Sequence, residues 1–148
     1  MTKEQKELLF KDISARLLYG VKCAEVYPDG NKFENVWDII RISKYDEDGI
    51  HISNCKTIYG YCSHIENIKP YLFPMSSMTE EQFEEFLDIC GWCGYIDEVR
   101  QGDFFNREEN LGFTHIYGTM DWLNINHFDY RGLIDNGLAI DATGLNIY

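Results

Sequence analysis

The chain has 148 residues and carries 25 Asp and Glu against 13 Lys and Arg, a net charge of −12. At that length one hydrophobic core is the default, and a content of 45% hydrophobic and 15% aromatic residues is too apolar for a disordered chain. The sequence shows no Lys/Arg cluster of the kind phosphate backbones attract, so nucleic-acid binding and docking on an anionic membrane are disfavoured and the expected partner is protein.

The opening Thr2-Lys3-Glu4-Gln5 fits a capping box, and Leu9, Ile13 and Leu17, flanked by Phe10 and Leu18, form an apolar stripe. A helix is predicted from about Lys3 to Leu18, ended by Gly20. No apolar run approaches the ~18–20 residues a bilayer span needs. The opening also lacks the apolar core of a secretory signal, so a cytoplasmic location with reduced thiols is expected for the five cysteines, Cys23, Cys55, Cys62, Cys90 and Cys93.

From Val21 to about Ile65 the texture is that of strands: VKCAEVY, then VWDIIRISKY, then Ile50-His51-Ile52, then KTIYGYCSHI with Gly60 as a bulge. Pro28-Asp29-Gly30-Asn31 and Asp46-Glu47-Asp48-Gly49 supply turns between them. Pro70 and Pro74 close the sheet region, with IKPYLFPMSSMT read as a rigid connector docked on the sheet. Thr79-Glu80-Glu81-Gln82 is a second capping box, and Phe83, Phe86, Leu87 and Cys90 follow at the spacing of a buried helix face, stopped by Gly91 and Gly94. Residues 95–118 alternate aromatics with charges and read as a hairpin or an ordered loop. Asp121 opens a short helix, Asp129 caps another through Tyr130–Asn136 with Gly137 as its stop, and LAIDA is a last strand. The fold class is therefore α+β in one domain over residues 1–148. It combines an N-terminal helix, a four-stranded, strongly bent antiparallel sheet or small barrel, and two or three helices.

Chemistry concentrates in two places. Cys90-Gly91-Trp92-Cys93 is a CxxC pair, with Cys62 and His64 the nearest further ligands for a zinc site. The pair lies at a predicted helix C-terminus, where the dipole opposes thiolate formation, and two thiols filling space is the plainer reading. The second place is His127-Phe128-Asp129-Tyr130-Arg131, an imidazole, a carboxylate and a guanidinium that can serve as base, orienter and anion clamp, or as a capping Asp with a locally paired Arg. The pairs Glu80-Glu81, Glu84-Glu85 and Glu108-Glu109 read as solvated surface, and an exposed Phe104-Phe105 would be a protein-contact point. The glycines form neither a phosphate loop nor a dinucleotide fingerprint, and no cofactor is expected.

The strings IKPYLFPMSSMTEE (68–81) and WLNxxHFDYRGLI (122–134) with Gly137-Leu138-Ala139, and the opening TKEQKELLxKDxxARLxYGVK, resemble a family of small proteins from Bacteroides-group gut bacteria and their phages and prophages. The family has no assigned activity, so the resemblance implies no catalytic roles. It implies an intracellular accessory protein associated with mobile elements. Cys90, Cys93 and residues 95–118 lie outside those strings. Three roles follow: a non-enzymatic protein that binds another protein, an enzyme or small-ligand binder using His127, Asp129 and Arg131, and a zinc domain through Cys90 and Cys93.

Overall fold

In the computed structural model, residues 1–27, 36–39, 41–45, 49–53, 62–90 and 113–148 are described. Helix α1 spans Lys3–Arg16. Its capping box forms as the sequence dictates: Gln5 N–H donates to the Thr2 hydroxyl and Thr2 N–H donates to Gln5 Oε1, at 3.2 and 2.9 Å. A 3-10 turn, Leu17–Tyr19, follows, and Gly20 ends it at φ 72°, a left-handed value that glycine adopts without a Cβ penalty.

The strands are β1 (Lys22–Glu25), β2 (Trp37–Asp38), β3 (Arg41–Tyr45), β4 (Gly49–Ser53), β5 (Cys62–His64), β6 (Ile68–Pro74), β7 (Phe128–Asp129) and β8 (Ile140–Asp141). The helices after β6 are α2 (Glu80–Cys90) and α3 (Phe113–Ile125). The architecture is α+β, but the strands divide into two sheets and neither is a closed barrel. Strands β3, β4 and β5 form an antiparallel meander. The other sheet is mixed: β6 pairs antiparallel with β1, which pairs with β2, and parallel with β7 and β8. The buried Ser63 hydroxyl on β5 donates to the buried Glu25 carboxylate on β1, tying the two sheets together.

The main correction concerns residues 68–74, the expected connector, which form the longest strand among the described residues and the hub of the mixed sheet. Phe73 N–H donates to His127 O, whereas Leu72 O accepts from Ala142 N–H. Successive residues of a strand point their hydrogen-bonding groups to opposite edges, so β7 and β8 flank β6 on different sides. By that alternation Pro70 and Pro74 aim their missing N–H at the β8 edge. The β1/β7 edge keeps its donors, and two prolines are tolerated in a hub strand.

Two further expectations change. The helix expected to open at Asp121 already runs from Phe113. Residues 130–136 form turns instead of a helix, because Gly132 sits at φ 69° and Asp129 takes the amides of both Leu133 and Ile134. The strand in LAIDA is present as β8, and the Thr79 capping box is made with Gln82 at 3.0 and 3.2 Å. The turns at 28–31 and 46–48, Gly60, Gly91, Cys93, Gly94, residues 95–112 with Phe104-Phe105 and Glu108-Glu109, and Cys55 lie outside the described residues.

One core cluster joins α1 to both sheets through Leu9, Ile13, Val21, Ile52, Ile68 and Leu72. A second gathers Met78, Phe86, Cys90, Trp122, Leu123 and Phe128 between α2, α3 and β7. The Phe86 and Trp122 rings lie 5.4 Å apart, and a Cβ on Gly118 would sit 3.3 Å from Ile89 Cγ2. As residue numbers rise on α2 their partners fall on α3, so the two helices are antiparallel.

Candidate functional site

Among the described residues, the segment following α3 carries the expected cluster of His127, Asp129 and Arg131. Asn126 N–H and His127 N–H donate to Trp122 O and Asn124 O at 3.0 and 3.2 Å, closing the end of α3. His127 then reverses the chain at φ 57°, the one non-glycine residue with positive φ among those described. Asp129, in β7, is buried, and each carboxylate oxygen accepts a backbone amide: Leu133 N–H at 2.9 Å and Ile134 N–H at 2.7 Å. Burial pushes its pKa up, opposed by those two amide bonds. The carboxylate holds the turn that follows, where the expected capping role would have had it start a helix.

Arg131 lies over the Tyr130 ring, 4.9 Å from the centroid, and donates to the Tyr130 hydroxyl at 2.9 Å. That hydroxyl donates in turn to Asn124 Oδ1 at 3.0 Å. The Arg131 Nε approaches Asp12 Oδ1 only to 3.6 Å, ion-pair range without a hydrogen bond.

Asp12 and Arg16 are the residues that sequence reasoning missed. They lie one turn apart on α1, fully buried, with Arg16 Nε and a terminal nitrogen donating to the two Asp12 oxygens at 2.8 and 3.0 Å. The same guanidinium donates to Phe128 O at 2.7 Å and to Leu123 O at 3.4 Å, and it stands 5.2 Å from the Tyr130 ring centroid. The signal was present: Leu9, Asp12, Ile13 and Arg16 share one helix face at i, i+3, i+4 and i+7, so two charges stood inside an apolar stripe. A forked pair of this kind binds α1 to both ends of the reversal at His127.

His127 is 7% exposed and its ring stacks on Tyr148, 3.7 Å between centroids and 13° between planes. Its Nδ1 has no hydrogen-bond partner among the described residues. Burial, then the positive charges of Arg16 and Lys22, depresses its pKa to about 4, so the imidazole is neutral at pH 7. The Tyr148 hydroxyl donates to Tyr71 O at 2.8 Å and accepts from Lys22 N–H at 3.1 Å.

Cys90 is buried in the second cluster with its thiol 3.8 Å from Leu87 O, and His64 is an exposed residue on β5. Cys62 begins β5, and Cys93 lies beyond the described part of the chain. Among the described residues no three His, Cys, Asp or Glu side chains gather as a metal site would require. Within those same residues no helix is long and apolar enough to cross a membrane. Comparison of the chain with protein-family models, with curated proteins and with solved structures gives no match.

Proposed function

We propose that the chain is a non-enzymatic accessory protein that acts by binding another protein, in the intracellular, phage- or mobile-element-associated setting that its sequence resemblance implies. The observation that carries this reading is the way the fold uses its most reactive-looking groups. Both Asp129 oxygens hold backbone amides, Arg131 lies on Tyr130, and the His127 ring is packed flat against Tyr148. A base and an anion clamp need free valences directed at a common space, whereas here the carboxylate is committed to backbone amides and the guanidinium and the imidazole each lie against a tyrosine ring. Large apolar side chains stand exposed elsewhere, Leu18 and Tyr117 foremost. Cross-linking and affinity capture from a host lysate test the reading. A stoichiometric protein partner is expected, and recovery of none overturns it.

One observation favours the alternative of a small-ligand binder or enzyme: the buried, orphaned His127 Nδ1 at a strained backbone position. A fragment screen by NMR in which His127 and Arg131 shift together would establish that reading in its place. The zinc alternative stands or falls on metal analysis of protein purified without added zinc, where a substoichiometric content ends it.

A further inference from the structure

The antiparallel α2–α3 pair has an inner and an outer side. Phe86 and Trp122 face the core, whereas half-buried Ile89 meets Gly118 nearer the surface. Along α3, Tyr117, Asp121 and Ile125 recur at i, i+4 and i+8 and are all exposed, Tyr117 at 74% and Ile125 at 53%. The Tyr19 hydroxyl donates to Asp121 Oδ1 at 2.9 Å, which brings the turn that carries Leu18, 90% exposed, up to this ridge. Across the seam, Glu81, Glu85 and Asp88 are exposed and α2 contains no Lys or Arg. Glu85 stands one turn before Ile89 on the same side, so the acids of α2 and the ridge of α3 flank the seam where Ile89 meets Gly118.

We infer that this seam receives a basic, amphipathic helix of a partner protein, with its apolar face on Leu18, Tyr117 and Ile125 and its Lys and Arg side chains against Glu81, Glu85, Asp88 and Asp121. The inference rests on the protein-binding reading above and names the partner's chemistry. Tyr117 and Ile125 lie eight residues and about 12 Å apart along α3, which matches apolar anchors seven or eight residues apart on an incoming helix. Charge selects among occupants. A second copy joined through this same face would bring Glu81, Glu85 and Asp88 against their own equivalents, and an anionic lipid surface would be repelled.

The test uses the whole chain and a fluorescent Lys/Leu amphipathic helical peptide, with a Glu/Leu peptide of identical Leu spacing as the control. Anisotropy should show the basic peptide bound, more weakly as salt rises, and amide shifts should map it to α3 and the outer face of α2. Ile125→Asp, and separately the pair Glu81→Lys and Glu85→Lys, should each weaken it about tenfold or more. The charge-reversed pair should gain affinity for the acidic peptide. Leu18→Asp provides a second ridge variant, and melting curves confirm that each variant is folded.

Unchanged affinity in the charge-reversed protein, or shifts mapping elsewhere, overturns the inference. So does a concentration-dependent dimer of the free protein that Ile125→Asp abolishes. If lysate capture yields a partner that Ile125→Asp retains, protein binding survives and this face does not. If the peptide binds here but no cellular partner is captured, the face stands and the broader reading falls.

Discussion

Arg16 is the residue whose loss the fold can least absorb, because its guanidinium is sealed from water and bonded to groups from three parts of the chain. Arg16→Met would strand the Asp12 carboxylate in the core, and the expected loss in chemical denaturation is about 3–5 kcal/mol. Adding Asp12→Leu removes the stranded charge, so the double variant should be more stable than Arg16→Met alone. A double variant less stable than the single one would mean that the bonds to Leu123 and Phe128 outweigh the ion pair. His127 supplies a pH dependence of definite sign. Its folded pKa, about 4, lies below the usual 6.5, so between those values the unfolded chain takes up a proton that the native state refuses. Stability should fall by roughly 3 kcal/mol as pH drops through that window. Asp129 acts in the opposite sense, since its raised pKa makes the native state the better proton acceptor. Comparing the wild type with His127→Asn, a residue that tolerates positive φ, isolates the histidine: the variant should lose that part of the acid slope. At this scale the sequence exposed the cluster at 127–131 but not its use. Neighbouring residues are visible in a string, whereas the contact of Asp12 with Arg131 depends on where α1 lands.

Among the elements, legibility followed local causes. The α1 and α2 caps could be read because a capping box is completed within four residues. Strand β6 was hidden because its two prolines look like stops until it is known which sheet edge each one faces. Helix α3 was hidden because FTHIYGTM is rich in aromatic and β-branched residues, and packing against α2 decides its conformation. Gly118 marks that packing, and Gly118→Leu should push α2 away from α3. A cost of about 1–3 kcal/mol is expected, read as a lower melting temperature with weakened near-ultraviolet dichroism from Trp122. Gly118→Ala should do far less, since helix propensity improves and the one methyl met, Ile89 Cγ2 at 3.3 Å, must yield by only about a few tenths of an ångström.

For the molecule as a whole, the α+β class followed from the change of periodicity along the chain, but the division into two sheets did not. The parallel contacts of β6 with β7 and β8 join residues more than fifty positions apart, which no local pattern encodes. Tyr148 shows what such distant contacts accomplish. In an uninterrupted ladder Lys22 N–H would meet Tyr71 O directly, but here a phenol stands between them, stacked on the imidazole that precedes β7. Tyr148→Phe should leave a strand amide and a carbonyl unmet, costing about 1–3 kcal/mol, with faster hydrogen exchange at Lys22 as the local sign. The ring also works as a ruler. A one-residue slip of β1 would invert which of its side chains face inward and would carry the Lys22 amide away from the phenol. A single aromatic side chain, far along the sequence from both strands, thus fixes how β1 lies against β6.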